Sequence, residues 1–394
     1  MKPVKKNVAV LAVCQALLFT NNSILITVNA LVGYALVADK ALATLPVTAY
    51  FVGSALTTLP LAMLMKRYGR RPGFVLGALC AIAGSLICAA AVFTSDFWLL
   101  CAGVIILGAY FAAGQHYRFA AADSVPADYK SRAVSLVLAG GIAGGFLGPE
   151  TSKLSTDLIA GHAYVGAYLS LVAFALLTMV VLRWLDIPPL PESDRREAGR
   201  PLAAIARQPV FIVAVACGTI SYGVMNLLMT ATPLAMTASE HPFSEAAFVI
   251  QWHMVGMFAP AFVTGHIIKR LGLMPVMLAG VGLNIACVAI ALSGVHVMHF
   301  WLALVLLGIG WNFMFVGATT LLTESHTPAE RAKVQGVNDA AIFVTMIVTS
   351  LASGALFTIQ GWHAMNLWAV PALLLAGAGL MWLAWTRREP LRAA

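Results

Sequence analysis

Long apolar runs alternate with short polar segments along the whole chain. Twelve of these runs are about 20 residues long, the length of a helix that crosses the hydrocarbon core of a bilayer. Within hydrocarbon every backbone polar group must be paired inside the protein, and a helix pairs its own. The pattern predicts an all-α membrane protein with twelve transmembrane helices. Their predicted centres are Leu18, Leu56, Ala83, Ala109, Ile142, Phe174, Ile220, Phe258, Gly282, Leu306, Met346 and Leu374.

Two basic loops have nearly the same sequence. Residues 66–71 read Lys-Arg-Tyr-Gly-Arg-Arg and residues 269–272 read Lys-Arg-Leu-Gly, so that Gly69 and Gly272 are 203 positions apart. A second pair of similar loops surrounds Pro126 and Pro328, which are 202 positions apart. Two motifs in the same order with nearly one offset indicate a duplicated chain. We therefore expect two pseudo-symmetric six-helix bundles.

A polar segment containing several prolines and charges of both signs separates the two halves. This composition is typical of a linker between domains. The predicted domains are an N-terminal six-helix bundle at residues 1–185, a cytoplasmic linker at residues 186–208 and a C-terminal six-helix bundle at residues 209–394.

The composition and the placement of charge agree with a membrane protein. Hydrophobic residues make up 60% of the chain and charged residues only 10%, which excludes an ordinary soluble fold. The formal net charge of +8 would suit a nucleic-acid partner, but the Lys and Arg residues concentrate in alternate loops and near the two ends. Such a bias marks cytoplasmic loops. We predict a multi-pass protein of the bacterial inner membrane with both termini cytoplasmic, membrane lipid around it and no nucleic acid bound.

The sequence offers no motif for catalysis or metal binding. It contains no His-Glu-x-x-His, no Gly-x-Ser-x-Gly and no Gly-x-x-x-x-Gly-Lys-Ser/Thr pattern. The six cysteines are scattered through apolar runs without a paired spacing, which is typical of small buried side chains. We therefore predict no enzyme activity, no metal, no cofactor and a monomeric state.

Twelve spans in two halves, with basic loops after the second and eighth helices, resemble the major facilitator superfamily over essentially the whole chain. The loop signature of that family is Gly-x-x-x-Asp-Arg-x-Gly-Arg-Arg/Lys, and here a lysine replaces the aspartate in both copies. The residues that match this conformational loop motif are Lys66, Arg67, Gly69, Arg70, Lys269, Arg270 and Gly272. In the family the aspartate caps a neighbouring helix and helps to hold the outward-facing state. Since a lysine accepts no hydrogen bonds, the resemblance implies a different or weaker latch here.

The fifth apolar run carries Gly144-Gly145-Phe-Leu-Gly148-Pro149, which is similar to the Gly-x-x-x-Gly-Pro element of the superfamily's proton-coupled exporters. Small residues let helix backbones approach closely and proline bends a helix, so Gly144, Gly148 and Pro149 are predicted at a helix interface. The chain departs from the exporters after this element, where Glu150 and Lys153 stand in place of further glycines. The exporters' arginine near the start of helix four is also absent.

Polar and aromatic residues near the middle of the spans are the candidates for solute binding, because carriers of this family bind near the bilayer midplane. The predicted set is Asn21, Asn22, Tyr110, Gln115, His116, Tyr222, Asn226, Trp311 and Asn312. For any single amide, hydrogen bonding between helices is an equal alternative. Taken together, the set favours a polar cavity.

Charged residues inside the spans are candidates for coupling or gating. Glu150 and Lys153 are spaced to form an ion pair, either structural or coupled to protons. For Arg118 we favour a structural role, in which it reaches the helix end or a loop carboxylate, over a gate or an anion contact. For Asp339 we favour a solvated helix-end acid over a gate or proton site. His253 is either a hydrogen-bonded structural residue, which we favour, or a titrating group.

These observations favour a secondary active transporter that moves a small organic solute by alternating access, with protons as coupling ion. Efflux is favoured over uptake because of the exporter-like element. The alternative is an uptake carrier for an aromatic nutrient such as a flavin-type vitamin. A passive channel or a membrane-embedded enzyme is the alternative of a different class.

Overall fold

The computed structural model describes residues 2–37, 42, 45–188, 192, 197 and 199–387. Parts of the predicted linker (189–191, 193–196 and 198) and the two chain ends (1 and 388–394) lie outside the described residues. The described residues form helices, turns and loops and contain no strand. The predicted all-α class is confirmed.

The described residues of the first part of the chain form seven α-helices of five residues or more. They are α1 (Lys2–Leu36), α2 (Leu45–Tyr68), α3 (Arg70–Thr94), α4 (Phe97–Asp123), α5 (Lys130–Ala139), α6 (Ile142–Thr156) and α7 (Val165–Val181). The predicted fifth span is not one continuous helix, because it is interrupted between α5 and α6 at Gly140 and Gly141. Glycine adjoins both helix ends at this break, and a helix is weakest at glycine.

The second part begins with the short helix α8. The helices are α8 (Leu202–Ala206), α9 (Pro209–Ala238), α10 (Phe243–Phe258), α11 (Ala261–Leu271), α12 (Leu273–Ser293), α13 (Val297–Leu322) and α14 (Arg331–Thr386). The predicted eighth span is bent by 41° between α10 and α11, where Pro260 cannot continue the backbone ladder. Helix α14 is broken at Gly361, whose φ of 78° is a conformation that favours glycine.

Ten helical spans among the described residues are long and apolar enough to cross a membrane, when α5 and α6 are counted together as the single stretch Ala127–Thr156, or eleven when the bent α10–α11 pair is also counted as one span. Counting the two arms of α14 separately at Gly361 would add one more. The number twelve stays a prediction.

Both copies of the basic loop depend on a glycine. Gly69 separates α2 from α3 with a φ of 94°, and Gly272 separates α11 from α12 with a φ of 89°. A side chain is strained at such angles, so the glycine of the repeated motif is required by the turn itself. The α3–α4 connection uses another device: the side chain of Asp96 accepts hydrogen bonds from the amides of Trp98 and Leu99 and caps α4.

The residues group into two compact units. Unit 1 comprises Met1–Val125, Leu136–Ala198 and Pro328–Ile347, and unit 2 comprises Pro126–Ser135, Gly199–Thr327 and Val348–Ala394. The start of α5 therefore packs within unit 2, and the start of α14 packs within unit 1. The predicted domains place residues 126–135 in the N-terminal bundle and residues 328–347 in the C-terminal bundle, so they do not include this exchange of segments.

Each unit is built around one buried central helix. In unit 1, α4 contacts α1, α2 and α3, and in unit 2, α13 contacts α9, α10 and α12. Glycines bring the helices together at matching places. A Cβ atom on Gly108 would lie 2.8 Å from the backbone of Gly53, and one on Gly308 would lie 2.8 Å from the backbone of Gly256. Since Gly53 and Gly256 are 203 positions apart, the packing repeats with the offset of the loop motifs.

In unit 2, the start of α5 packs against α11 through a hydroxyl group. Ser135 donates to the carbonyl of Ala261, and its oxygen accepts the amide hydrogen of Gly265 at 3.2 Å. In a regular helix these two backbone groups would bond each other. A Cβ atom on Gly265 would lie only 2.6 Å from the Cα of Arg132, so the glycine is what allows the close approach.

Candidate functional site

The two asparagines of α1 have different surroundings. The amide nitrogen of Asn21 donates to the carbonyl of Leu171 on α7 at 3.4 Å. Asn22 is only partly buried, yet its side-chain oxygen is closed to solvent. Neither side-chain oxygen has a hydrogen-bond partner among the described residues. Because a buried polar group without a partner costs free energy, these oxygens are candidates for contact with a ligand.

Tyr110 lies on α4 and is tied to α7. Its hydroxyl group and that of Thr178 are 2.9 Å apart. Thr178 in turn donates to the carbonyl of Phe174 at 2.9 Å. The hydroxyl of Tyr110 thus has an internal partner, and Thr178 is a residue that the sequence analysis did not single out.

Aromatic rings form a continuous cluster in unit 1, which we call aromatic cluster 1. The ring of Phe111 on α4 stacks on Tyr50 of α2, with centroids 5.4 Å apart. Phe111 also contacts Phe19 of α1 at 6.3 Å and Phe343 of α14 at 5.6 Å. Four helices therefore contribute to one aromatic surface.

A second group of rings, aromatic cluster 2, lies in unit 2. Trp311 on α13 stacks on Phe315 at 4.9 Å and meets Tyr222 edge-on at 5.2 Å and Phe258 at 5.9 Å. Trp311 is completely buried, and its ring nitrogen has no partner among the described residues. Tyr222 and Trp311, two of the predicted residues, are thus brought together.

The other predicted residues of unit 2 are engaged in bonds between helices. The amide nitrogen of Asn312 donates to the carbonyl of Met257 at 2.7 Å, and its oxygen accepts from Thr264 at 2.7 Å. Asn312 therefore links α13 to both arms of the bent α10–α11 pair. This arrangement matches the helix-bonding alternative stated for each amide.

Asn226 and His253 also bond within unit 2. The amide nitrogen of Asn226 donates to the hydroxyl oxygen of Thr349 at 2.9 Å. His253 is fully buried, with Nδ1 2.8 Å from the carbonyl oxygen of Leu304. A hydrogen-bonded structural position is what the sequence analysis favoured for this histidine.

A buried ion pair joins α4 to α14 in unit 1. The guanidinium of Arg118 donates to Asp339 and to the side-chain oxygen of Gln115. The two charged side chains are 2% and 1% exposed. Asn338 adds a hydrogen bond to the same carboxylate oxygen of Asp339 at 3.0 Å. The preferred interpretation of Asp339 as a solvated acid is wrong, because the start of α14 packs inside unit 1. The expected partner of Arg118, a loop carboxylate, is likewise corrected to the carboxylate of Asp339.

A second set of charges surrounds the neighbouring end of α4. Arg70 donates to the carboxylate of Asp123 at 2.6 Å and to the side-chain oxygen of Gln335 at 2.7 Å. Arg331 lies 3.3 Å from the same oxygen of Asp123. The conformational loop motif is thus linked to α4 and α14 through Arg70. His116 is buried on the turn of α4 that also carries Gln115 and Arg118.

The lysines that replace the aspartates of the loop signature make other contacts. Lys66 donates to the backbone carbonyl of Glu197 at 2.7 Å, and Lys269 lies 3.4 Å from the carboxylate of Asp128. Arg67 lies over the ring of Tyr68, with its charge centre 5.2 Å from the ring centroid. Arg270 is exposed. The carboxylate near Arg70 is that of Asp123 on α4. The sequence analysis did not predict this pair, because the two residues are 53 positions apart.

The exporter-like element lies along α1. A Cβ atom on Gly144 would lie 2.5 Å from the backbone of Phe19, and Gly148 faces Ser23. Pro149 is inside α6. Lys153 donates to Glu150 at 2.8 Å, and the two side chains are 71% and 67% exposed. This pair therefore lies on the surface of unit 1, away from the buried network of Arg118.

One pocket in unit 1 lies elsewhere, at the turn between α3 and α4. Its lining residues are Leu36, Val37, Leu42, Thr94, Ser95, Asp96, Phe97 and Trp98. None of the predicted binding residues lines it. Among the described residues no group of three His, Cys, Asp or Glu side chains is placed to hold a metal ion.

Comparison with known proteins gives concordant matches. The family model of the major facilitator superfamily matches residues 11–325 and 214–394. The riboflavin transporter RfnT of Brucella anthropi is 41% identical over 373 residues, covering 94% of this chain and 94% of that protein. The uncharacterized MFS-type transporter YdeG of Bacillus subtilis is 29% identical, covering 87% of this chain and 83% of that protein.

Solved structures match over nearly the full length. The fucose:proton symporter FucP of E. coli has a TM-score of 0.73 at 16% identity, covering 95% of this chain and 98% of that chain. The proton:xylose symporter XylE has a TM-score of 0.77 at 15% identity, covering 96% of this chain and 95% of that chain. At such low identity these likenesses bear on the fold alone.

Proposed function

The chain belongs to the major facilitator superfamily, and we propose from this membership that it is a secondary carrier for riboflavin or a closely similar flavin. One observation carries the substrate: the 41% identity, over 94% of both chains, to a protein named as a riboflavin transporter. The coarser statement, a membrane-embedded transporter of a small solute, does not depend on that choice.

The two aromatic clusters support a flat aromatic solute. Riboflavin combines a planar tricyclic ring with a polar ribityl chain. Binding sites for such molecules are mainly apolar and aromatic, with a few placed polar groups. Aromatic cluster 1 and the unpartnered oxygens of Asn21 and Asn22 supply both kinds of group within unit 1.

For direction we propose uptake, since a vitamin is a nutrient that cells take in. Efflux, which the exporter-like element favoured, is the competing direction. The proposed location is the bacterial inner membrane with both termini cytoplasmic, and the proposed state is a monomer of two six-helix halves.

For coupling we propose protons, with Asp339 as the carboxylate that exchanges them. A carboxylate buried beside one arginine is held in place by that arginine, and protonation would release the pair. The exposed pair of Glu150 and Lys153 has no comparable confinement.

Flux measurements on purified protein in liposomes test this function. We expect saturable riboflavin entry, acceleration by unlabelled riboflavin on the opposite side, and accumulation against a gradient when a proton gradient is imposed. An uncoupler should abolish the accumulation, and Asp339→Asn should abolish its dependence on pH.

Each part can be overturned separately in that assay. Riboflavin flux no higher than in protein-free liposomes would exclude the substrate. Flux without competition or counterflow would indicate a channel. Accumulation that survives the uncoupler would exclude proton coupling, and net export from cells that express the protein would reverse the direction.

A further inference from the structure

We propose that Asn22 is a specificity residue that reads a hydrogen-bond donor on the flavin, beside the aromatic surface of unit 1. This inference rests on the proposed function. It assigns to one side chain the task of distinguishing a flavin from an apolar ring of the same shape.

The hydrogen bonding of Asn22 differs from that of Asn29 and Asn312, whereas the side-chain oxygens of Asn21, Asn284 and Asn366 are likewise buried without a partner among the described residues. Asn29, two turns further along α1, accepts a hydrogen bond from the hydroxyl of Tyr168 at 2.7 Å. Asn312 uses both its oxygen and its nitrogen. The side-chain oxygen of Asn22 is shut off from solvent and has no partner among the described residues. A ligand donor would remove the cost of that unpaired oxygen.

The position of Asn22 puts it beside aromatic cluster 1. Phe19 precedes it by three residues on α1, a spacing that makes two side chains neighbours on a helix face, about 5–6 Å apart at Cβ. The ring of Phe19 in turn contacts Phe111, which stacks on Tyr50. Asn21 lies about 100° further round the helix, where its amide nitrogen donates to Leu171 on α7 and its side chain also lies near the hydroxyl of Tyr110 on α4. By its spacing, Asn22 is therefore the amide of this pair that lies nearer to the face of α1 that carries Phe19.

The chemistry of the two partners is complementary. A carboxamide presents an acceptor and a donor side by side. The flavin ring has an imide edge where one N–H lies between two carbonyl groups, so that a ring stacked on the aromatic surface would pair with the carboxamide through two adjacent hydrogen bonds. The hydroxyl groups of the ribityl chain are the other source of a donor. Both sources offer the unpaired oxygen the same group, an N–H or O–H.

Binding measurements with three flavins test the assignment. Riboflavin, 3-methylriboflavin, which lacks the imide donor, and lumiflavin, which lacks the ribityl hydroxyls, are titrated against purified protein. For the native chain we expect the analogue that lacks the donor read by Asn22 to bind roughly tenfold to a hundredfold more weakly than riboflavin. Asn22→Leu should weaken riboflavin by a similar factor and remove most of that difference.

A matched control is Asn284→Leu. Asn284 is equally an asparagine within a helix, but it is buried in unit 2, where its nitrogen approaches the sulfur of Met314. This variant should keep the native ranking of the three flavins. Asn22→Asp, which keeps the oxygen acceptor and nearly the same size, should keep part of the discrimination and shows whether the site tolerates change. Thermal unfolding confirms that each variant is folded.

The outcomes separate the two proposals. If the native protein binds none of the flavins, the proposed substrate fails. If it binds riboflavin but Asn22→Leu weakens all three flavins by the same factor, or leaves all three unchanged, the role of Asn22 is overturned while the flavin carrier stands. Loss of the difference with 3-methylriboflavin supports the imide edge as the donor, and loss of the difference with lumiflavin supports the ribityl chain.

Discussion

At the scale of single residues, the pairing of Arg118 with Asp339 shows where sequence reasoning stops. Both residues are recognisable as charges inside apolar runs, and both were candidates. Their pairing spans 221 positions and depends on how α14 packs against α4, which no local pattern encodes. Asn22 could be selected as a candidate from its placement in the middle of an apolar run alone, and its role in binding stays a proposal.

The ion pair of Arg118 and Asp339 leads to a stability prediction. Asp339→Leu alone leaves a buried guanidinium without its carboxylate, which we expect to cost about 3–5 kcal/mol of unfolding free energy. The double variant Arg118→Leu with Asp339→Leu should recover much of this loss, because both charges are removed. Thermal unfolding of the detergent-purified variants measures the cycle. Additive losses in the double variant would mean that the two charges do not interact.

At the scale of helices, ten or eleven of the twelve predicted spans are found among the described residues, but the breaks within them did not follow from the apolar runs. Pro60 and Pro233 lie inside α2 and α9, which continue through them, whereas the α10–α11 pair bends at Pro260. A proline removes one backbone donor, and the surrounding packing decides whether the helix bends. Gly361 breaks α14 ten residues before Pro371, the proline inside that helix.

The contact between α6 and α1 gives a prediction for a single methyl group. Gly144→Ala would place a Cβ atom 2.5 Å from the backbone of Phe19, so the two helices must separate. We expect lower transport and a loss of stability of about 1–3 kcal/mol, as for an overpacked core. The control is Gly282→Ala on α12, because a Cβ atom there meets nothing within 4 Å.

That control should be neutral or slightly stabilising, since alanine is a better helix former than glycine by roughly 0.5–1 kcal/mol. Thermal unfolding and flux into liposomes provide the two measurements. Equal effects of the two substitutions would contradict the close packing of α6 on α1.

At the scale of the whole molecule, the repeat offset of 203 residues was visible in two loops, and the structure extends it to glycine contacts inside the two units. The family could therefore be identified from the sequence. The grouping of residues 126–135 with unit 2 and of 328–347 with unit 1 could not, because it results from the packing of particular helix ends. The sequence analysis offered a flavin-type vitamin only as an alternative substrate. The similarity to a protein named as a riboflavin transporter is what favours this substrate.

Topology gives a prediction at this scale. Thr94 ends α3 and Ala127 follows α4, so the two exposed residues lie at opposite ends of the same helix. In intact cells a membrane-impermeant thiol reagent should label Thr94→Cys and should label Ala127→Cys only after permeabilisation. The native cysteines provide a low background, because all but Cys80 are buried. The reverse labelling pattern would invert the proposed orientation.

The serine at the start of the fifth span has a consequence for motion. Ser135 bonds both the amide of Gly265 and the carbonyl of Ala261, two backbone groups of α11 whose spacing also allows them to bond each other. When Ser135 moves away, these two backbone groups can bond each other and neither is left without a partner. We therefore expect the separation of α5 from α11 at this point to cost little more than one hydrogen bond. The contact between α5 and α11 can therefore form and break repeatedly. It holds the two segments in register while they are joined and leaves no unpaired backbone group when they separate.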